Sequence, residues 1–406
     1  MNSVPIPRLA AALAAITAVA LSLALVATGA TRAAKPDIKL MVPVPTQNAI
    51  LDQYDLYVIA SNVAREINKR GGIRGQQVKM EFCNVGFDPN LNEQCARKAA
   101  SDGVTATIGS LFLFGNVSQP ILEAAHIPAI GAAATNPAEL TSPYVFTNAP
   151  SPLHTFAEAF LAGRHCKNTS LVVTSSQYSQ FKKYYEAGLK ANSRGGFVSA
   201  VLVPPTATDM NAYVAQAAKG ADCIAVGPAE PQFPAWLGAM RSQGLKQRMY
   251  VLAGSSLQPK VVADYADVTN GWYAISYYPS ITNPVWKPYV DLMTKYHNLG
   301  KYAGNIGGLS QMRTYLAMKV FEQVATKMKG TVTNETLYKA LTTAPTCQVD
   351  VGKMMPKLNY CKEASDPDLR RLFDTSVWIQ RIKNGKYTDV SRTFFDMLPF
   401  YEKGKG

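Results

Sequence analysis

Short apolar segments typical of β-strands alternate with longer segments of helical periodicity along most of this chain. Residues 38–42 predict the first strand, and residues 51–69 predict a helix because Leu56, Ile59 and Val63 recur at helical spacing. Strands that alternate with helices assemble into parallel sheets covered by helices on both faces. The alternation continues through predicted strands at 78–83, 105–111 and 127–132 and predicted helices at 91–101 and 118–125.

A proline-rich passage at residues 147–152 interrupts this alternation, which then starts again. The second series predicts strands at 171–174, 197–203, 223–226 and 249–252 and helices at 180–192, 210–218 and 233–242. With 406 residues, of which 47% are apolar, the chain can bury two cores. We therefore predict two α/β lobes joined near residue 148. Periodicity does not define how the lobes share the tail, which holds predicted helices at 285–296 and 310–329 and a hairpin-like segment at 377–385.

The first thirty residues are typical of a secretory signal peptide. Arg8 precedes an apolar run at residues 9–26, and small residues then lead to a predicted cleavage site after Ala30, with Ala33 and Ala34 as alternatives. A permanent membrane anchor is the other interpretation, because the run approaches the length that spans a bilayer. No cysteine follows the run closely, so a lipid anchor on an N-terminal cysteine is not expected. We predict an exported, periplasmic protein that is soluble after cleavage of segment 1–30.

Export allows the six cysteines to form disulfide bonds, because the periplasm is oxidising. Sequence alone does not fix their connectivity. We predict that Cys83 pairs with Cys95, which joins a strand end to the next helix, and that Cys347 pairs with Cys361 across a local loop. This leaves Cys166 to pair with Cys223 in the other lobe. A zinc site is the alternative, but the sequence contains no C-x-x-C pair, and we predict no metal site.

Signatures of catalysis and of nucleic-acid binding are missing from the sequence. It contains no dinucleotide-binding, phosphate-binding-loop, nucleophile-elbow or zinc-protease motif, and of its four histidines His126, His154 and His297 are interpreted as solvated or capping residues. The net charge is +13, but basic residues cluster only in pairs such as Lys182-Lys183 and Arg370-Arg371. The sequence therefore favours neither an enzyme nor a nucleic-acid-binding protein, and it indicates no cofactor.

One segment after the first helix resembles a known family. Residues 67–75, INKRGGIRG, are similar to the I-N-x-x-G-G-I-x-G segment of the leucine/isoleucine/valine-binding proteins, which are type I periplasmic binding proteins of ABC importers. Further short matches follow in the family's order: Ile108-Gly109, Ser118-Gln119-Pro120, Ala133-Ala134-Thr135-Asn136-Pro137, Gln177-Tyr178 and Gly244-Leu245-Lys246. The likeness spans residues 37–385, nearly the whole chain after the predicted signal peptide.

The resemblance implies an α/β fold of two doubly wound parallel-sheet lobes joined by a hinge of three crossovers. Residues 37–148 and about 280–345 would form lobe 1, and residues 149–279 and about 346–400 would form lobe 2. The implied function is that of a monomeric periplasmic subunit, which traps a small ligand by lobe closure and delivers it to an ABC permease in the inner membrane. A ligand-sensing subunit for a receptor or regulator is one alternative, and a hydrolase on the same scaffold is another.

Two loops of lobe 1 are candidates for holding the ligand, because ligands of parallel α/β sheets bind beyond the carboxyl ends of strands. In the resembling proteins these loops hold a carboxylate, and Thr135 and the backbone of Ala133 match their binding groups. The first loop departs from the family, since apolar residues replace small hydroxyl residues there. It is interpreted either as an apolar wall against the ligand or as a strand end in the core. The candidate residues of these loops are Ser110, Phe112, Phe114, Ala133, Thr135 and Asn136.

Lobe 2 contributes Tyr178, which matches a tyrosine that lines the family's pocket, and Glu230. The family's ammonium-binding glutamate falls within residues 252–255, which contain no acid. A buried ammonium without an acceptor is costly, so we predict a small apolar or aromatic carboxylate or amide as the ligand. A branched-chain amino acid is the alternative if Glu230 supplies the missing charge. Tyr54 near the first helix is a further candidate, whereas Asp52 could cap that helix.

Overall fold

The computed structural model describes Met1 and residues 35–47, 52–254 and 257–405. It divides into two compact units, Met1–Pro36 and Asp37–Gly406. The predicted signal peptide and its cleavage sites lie outside the described residues, apart from Met1. Within the described residues, no helix has the length and apolar character that a membrane span requires. Among the described residues, the second unit contains a five-stranded sheet, an eight-stranded sheet and a two-stranded hairpin.

The second unit alternates strands and helices for most of its length. The strands are β1 (Ile38–Val44), β2 (Val78–Asn84), β3 (Ala106–Ile108), β4 (Ala129–Ile130), β5 (Val145–Phe146), β6 (Thr169–Thr174), β7 (Ser199–Val203), β8 (Cys223–Val226), β9 (Arg248–Leu252), β10 (Tyr273–Ser276), β11 (Gln348–Val349), β12 (Leu358–Asn359), β13 (Ser376–Lys383), β14 (Lys386–Asp389) and β15 (Phe395–Asp396). The helices are α1 (Tyr54–Lys69), α2 (Pro89–Ser101), α3 (Gly115–Ala124), α4 (Pro137–Thr141), α5 (Leu153–His165), α6 (Ser175–Lys190), α7 (Asn211–Ala218), α8 (Phe233–Ser242), α9 (Pro259–Asp264), α10 (Ala266–Thr269), α11 (Lys287–Tyr296), α12 (Leu309–Lys327), α13 (Asn334–Thr342) and α14 (Leu398–Lys405).

Two sheets define two lobes. The sheet of the first lobe has the order β2-β1-β3-β4-β5, and all of its pairs are parallel. The sheet of the second lobe has the order β14-β13-β10-β9-β8-β6-β7, in which β6 to β10 pair in parallel and β13 runs antiparallel to both neighbours. The predicted mixture of helices and parallel sheets in two lobes is therefore confirmed.

Helix α5 is absent from the sequence prediction, which placed only a proline-rich interruption before the second series. Ten of its thirteen residues are buried, and it packs on α6 and on strands β8, β9 and β10. A helix that is apolar on all sides lacks the amphipathic period by which helices are recognised. The residues that surround α5 therefore decide its position.

The tail of the chain contributes to both lobes. Helix α12 packs on α1 and on strands β3 and β4 of the first sheet, whereas β13 and β14 extend the second sheet. The small hairpin of β11 and β12 contributes Val349, Leu358 and Tyr360 to the same hydrophobic cluster as α12, although the resemblance assigned residues 346–400 to lobe 2.

Three crossovers between the lobes lie side by side. They are the segments between β5 and α5, between β10 and α11, and between β12 and β13. The Tyr278 hydroxyl of the second crossover donates to the Asn148 carbonyl of the first at 2.8 Å. The Thr147 hydroxyl of the first crossover donates to the Arg371 carbonyl of the third at 2.8 Å and accepts from the Phe373 backbone N–H at 3.1 Å. These bonds tie the crossovers into one hinge.

The six cysteines form three disulfide bonds in the predicted pairing. Cys83–Cys95 joins β2 to α2, and Cys347–Cys361 closes the β11–β12 hairpin. Cys166–Cys223 joins the end of α5 to the start of β8, with its Cα atoms 6.1 Å apart. Each bond therefore fixes a helix or turn against a strand within one lobe.

Candidate functional site

The carboxyl ends of the parallel strands in the two lobes face each other. Gln180 of α6, which follows β6, donates from Nε2 to the carbonyl of Thr135, which follows β4, at 2.7 Å. After β9, Gly254 approaches the segment that begins α12, so that an added Cβ would lie 3.0 Å from the Gly307 carbonyl oxygen. Helix N-termini and strand ends meet at this edge, where α/β proteins bind ligands. The inter-lobe cleft is therefore the candidate site.

The loop after β3 brings Ser110 to this edge in a fully buried position. The Ser110 side chain is 1% exposed, and its hydroxyl oxygen has no partner among the described residues. Its carbonyl accepts from the Ala133 backbone N–H at 3.0 Å and from Arg313 Nη1 at 3.2 Å. The predicted backbone donor Ala133 is therefore engaged with Ser110, whereas the Ser110 hydroxyl is free to bind a further group.

Arg313 of α12 is a buried cation that sequence reasoning missed. Its side chain is 1% exposed, Nη1 also donates to the Gly131 carbonyl, and Nη2 has no partner in the described part of the chain. Burial lowers the pKa of the guanidinium, but an arginine stays charged in a protein. A buried cation normally has an anionic partner, so Arg313 is suited to bind one. A single arginine in a largely apolar helix gives no signal of this role in the sequence.

Thr135 and Asn136 lie where the resemblance places them, at the start of α4. The Asn136 side chain caps this helix, because Oδ1 accepts from the Glu139 backbone N–H at 3.2 Å and Nδ2 donates to Glu139 Oε2 at 2.5 Å. The Thr135 backbone N–H also donates to Glu139 Oε2, at 3.2 Å. Burial raises the pKa of Glu139 to about 7 despite these bonds and the charge of Arg313. The hydroxyl of Thr135 makes no hydrogen bond within the described residues, so it remains available to a ligand.

Phe112 and Phe114 have different surroundings. Phe112 is 3% exposed and belongs to a hydrophobic cluster with Met41 and Leu122. Phe114 is half-buried, precedes α3 and donates its backbone N–H to Asn92 Oδ1 at 3.2 Å. For Phe112 these contacts agree with the second interpretation of this loop, a strand end in the core.

Tyr178 lies on α6, and Asp52 and Tyr54 lie at the start of α1. Tyr178 lies half-buried in the first turns of α6. Tyr54 is 38% exposed and packs its ring on Phe82 at 5.1 Å between centroids. Asp52 does not cap α1: its carboxylate accepts from Thr46, Lys301 and Tyr302. The hydrogen bonds from these side chains outweigh its desolvation and hold the pKa of Asp52 well below its usual range. Asp52 is therefore occupied by neighbours within its own lobe.

Two carboxylates, one from each lobe, have pKa values raised by burial. Asp55, which sequence reasoning missed, begins α1 and is 1% exposed; burial raises its pKa to about 6. Glu230 is half-buried after β8, and its pKa is raised by burial and further by the charge of Asp55. Gln311 donates to Asp55 Oδ2 at 2.8 Å, and Gln258 donates to Glu230 Oε1 at 3.0 Å. Each carboxylate therefore accepts an amide hydrogen bond from within its own lobe.

A cavity of about 760 Å³ adjoins the start of α12 and the hinge. Ile281, Leu309 and Met312 contribute apolar walls, and Lys386 and Asp389 lie among its polar residues. Its volume falls in the range of small-molecule sites. Apolar space therefore lies on the same helix that positions Gln311 and Arg313.

Comparison with known proteins identifies the fold. A family model described as "Periplasmic binding protein" matches residues 60–385. No curated protein sequence matches the chain significantly.

Solved structures with this fold carry several functional descriptions. A branched-chain amino acid ABC transporter protein from Thermus thermophilus with bound valine is 15% identical, with a TM-score of 0.71 over 91% of this chain and 99% of that chain. A fatty acid ABC transporter substrate-binding protein from Thermomonospora curvata is 17% identical, with a TM-score of 0.69 over 90% and 94%. An extracellular ligand-binding receptor from Verminephrobacter eiseniae is 17% identical, with a TM-score of 0.71 over 87% and 99%. At these identities the likeness shows the fold alone.

Proposed function

Because the chain belongs to the periplasmic binding protein family, whose model matches residues 60–385, we propose that it is the solute-binding subunit of an ABC importer. Exported by its predicted signal peptide, it captures a small ligand between its lobes and presents the closed complex to an ABC permease in the inner membrane. It binds this ligand without transforming it and acts as a monomer.

The observation that carries this proposal is the contact between Gln180 and Thr135, which joins α6 of the second lobe to the loop before α4 of the first at 2.7 Å. Both residues lie on segments that follow parallel strands, Gln180 in the second turn of α6 and Thr135 in the loop between β4 and α4, and the two segments belong to lobes that the hinge joins. A ligand that touches both lobes stabilises the closed arrangement over the open one, and this difference in affinity is what drives closure. The contact supports a cleft that closes at the predicted binding loops.

The ligand class that the cleft favours is a carboxylate with an apolar or aromatic body. Arg313 Nη2 and the hydroxyls of Ser110 and Thr135 supply unengaged donors in the first lobe, and charge-assisted hydrogen bonds to a carboxylate are strong. Two of the solved structures with this fold are described as containing bound valine and as a fatty acid transporter protein. Valine and fatty acids both join a carboxylate to an apolar body. The cavity beside α12 is lined by Leu309 and Met312 of the helix that carries Arg313, and this apolar space supports the apolar part of the ligand, although none of the three donors lines it.

Thermal unfolding and small-angle scattering of the purified mature protein test the proposal. Leucine, phenylalanine, phenylacetate and octanoate form the first panel. A ligand of the right class raises the unfolding temperature, because it binds only the folded state, and reduces the radius of gyration. Thr135→Val removes one donor and should weaken binding, whereas Thr326→Val on exposed α12 surface serves as the matched control. If no compound of the panel changes the unfolding temperature or the radius of gyration, or if the protein chemically converts one of them, the proposal is refuted.

A further inference from the structure

Strand β2 lies at one edge of the first sheet, where β1 is its one paired strand in the described part of the chain. The Ile38 N–H donates to the Gln77 carbonyl at 2.8 Å, and the Val85 N–H donates to the Val44 carbonyl at 3.2 Å. Because the backbone groups of successive strand residues point in alternate directions, the odd-numbered residues of β2 bond β1 and the even-numbered residues point away from it. The outer edge of β2 therefore presents its even-numbered residues to a further strand.

The side chain of Asn68, near the end of α1, occupies the first position of this outer edge. Its Nδ2 donates to the Val78 carbonyl and its Oδ1 accepts from the Val78 N–H, both at 2.8 Å. These are the two bonds that a residue of an antiparallel strand would make. The N–H and C=O groups of the next two outward-facing residues, Met80 and Phe82, have no hydrogen-bond partner among the described residues. Four backbone groups therefore remain open at an edge that can accept a strand.

A groove of about 500 Å³ runs along this edge between β2 and α1. Its walls include Tyr57, Arg65, Lys69, Lys79 and Met80, and no acidic residue of the described chain lines it. The Tyr57 ring also packs on Phe82, with 5.7 Å between the ring centroids. This β2 groove therefore combines an open strand edge with aromatic rings and three cations.

The cations of the β2 groove lack enough anionic partners. Lys69 lies 3.4 Å from the Glu66 carboxylate, which Lys295 also contacts at 2.9 Å. Arg65 and Lys79 form no ion pair with a described residue. Complementary charge guides association and selects partners, so the β2 groove favours an acidic partner.

We infer that the β2 groove binds an extended acidic segment of a partner protein, which adds to the first sheet as a sixth strand. Its backbone would bond Met80 and Phe82, continuing the bonds that Asn68 makes to Val78. Side chains opposite Met80 and Phe82 would face α1, and an acidic side chain between them would lie beside Lys79. A second copy of this chain fits less well, because pairing β2 with itself brings two basic grooves together.

Fluorescence anisotropy with three labelled peptides tests this docking. The peptides are EVEVEVE, its basic counterpart KVKVKVK, and EVEVEVE with methylated valine nitrogens, which keeps the charges and removes the backbone donors. We expect the unmodified acidic peptide to bind at least about tenfold more tightly than either of the others. Arg65→Glu combined with Lys79→Glu should reverse the preference between the acidic and basic peptides. Lys190→Glu, at an exposed position of α6, is the matched control and should leave the preference unchanged.

Hydrogen exchange of the protein without peptide gives a second measurement. The N–H groups of Met80 and Phe82 should exchange at least about a hundredfold faster than those of Lys79 and Glu81, which bond β1. The acidic peptide should slow the exchange of Met80 and Phe82. Slow exchange at residues 79 and 81 of the double variant shows that β2 is still folded there.

The outcomes distinguish the occupants of this edge. Slow exchange at Met80 and Phe82 without peptide overturns the inference, because the edge then already has a partner. If that protection rises with protein concentration, the partner is a second copy of the chain. Equal binding of the acidic peptide and its methylated form overturns strand addition, and a lack of binding by the acidic peptide overturns the docking site.

Discussion

Two helical glycines of the second lobe, Gly188 in α6 and Gly238 in α8, are expected to respond in opposite directions to the same substitution. Gly188 lies near the end of α6, and an added Cβ would sit 2.6 Å from the Phe156 carbonyl oxygen and 2.8 Å from both Ala159 Cβ and the Phe160 backbone nitrogen. Gly238 lies within α8, where the nearest atom to an added Cβ is the Tyr265 hydroxyl at 3.8 Å. Gly188→Ala and Gly238→Ala therefore form a matched pair.

Two effects of known size decide the sign at each position. Replacing a helical glycine with alanine stabilises a helix by about 1 kcal/mol, and at Gly238 nothing opposes this gain. At Gly188 the atoms in the way are backbone atoms and a Cβ, which cannot rotate aside. Overpacking of this kind costs about 1–3 kcal/mol, and more where helices must separate. We expect Gly238→Ala to raise the free energy of unfolding by about 0.5–1 kcal/mol and Gly188→Ala to lower it by about 1–2 kcal/mol.

Urea denaturation followed by far-ultraviolet circular dichroism measures both free energies against the wild type. The two variants should differ by about 1.5–3 kcal/mol, with the midpoints shifted in opposite directions and little change in slope. If Gly188→Ala stabilises the protein as much as Gly238→Ala does, α5 and α6 do not meet at this distance. The reasoning about how α5 is held in place would then be wrong.

Three further predictions address the disulfides, a buried acid and the cleft. Replacing Cys166 and Cys223 with alanine should cost about 4 kcal/mol in urea denaturation, against about 3 kcal/mol for either other pair, because this bond spans 57 residues and the others 12 and 14. The pKa of Glu139 is raised from 4.5 to about 7, so the wild type should lose stability as the pH rises from 4.5 to 7. Glu139→Gln should escape this loss, gaining up to about 3 kcal/mol above pH 7 relative to the wild type and nothing below pH 4.5; a difference independent of pH would contradict this. Gln180→Ala should enlarge the ligand-free radius of gyration and weaken ligand binding by about threefold to tenfold.

Much of the fold was predictable because its signals are local. Alternating strand and helix patterns gave β8 and α8 with the observed bounds, and the disulfide pairing followed from cysteines placed beside elements that meet. Helix α5 was not predictable, since ten of its thirteen residues are buried and it shows no polar face. The tail was also undetermined, because its helices and strands pack on different lobes through contacts distant in sequence.

The candidate site divides in the same way. Thr135 and Glu230 follow strand ends and were recognisable from order along the chain. Asp55 and Arg313 were not recognisable from the sequence. An acid in the first turn of a helix and an arginine in an apolar helix have the same local pattern whether or not they lie near a binding site. The choice between ligand-binding and core packing for Phe112 also depended on the residues that surround it.

The sequence by itself determined the repeated α/β units and the positions of the strand ends, because hydrophobic periodicity and helix-ending residues act over a few neighbouring positions. Only the tertiary structure decided which charges lie together. The pKa of a carboxyl group and the cost of an unpaired cation depend on burial and on the distance to other charges. Residues that are far apart in the sequence set both quantities when the chain folds. Asp55 and Gln311 are separated by 256 positions, and the packing of α12 on α1 places their side chains 2.8 Å apart.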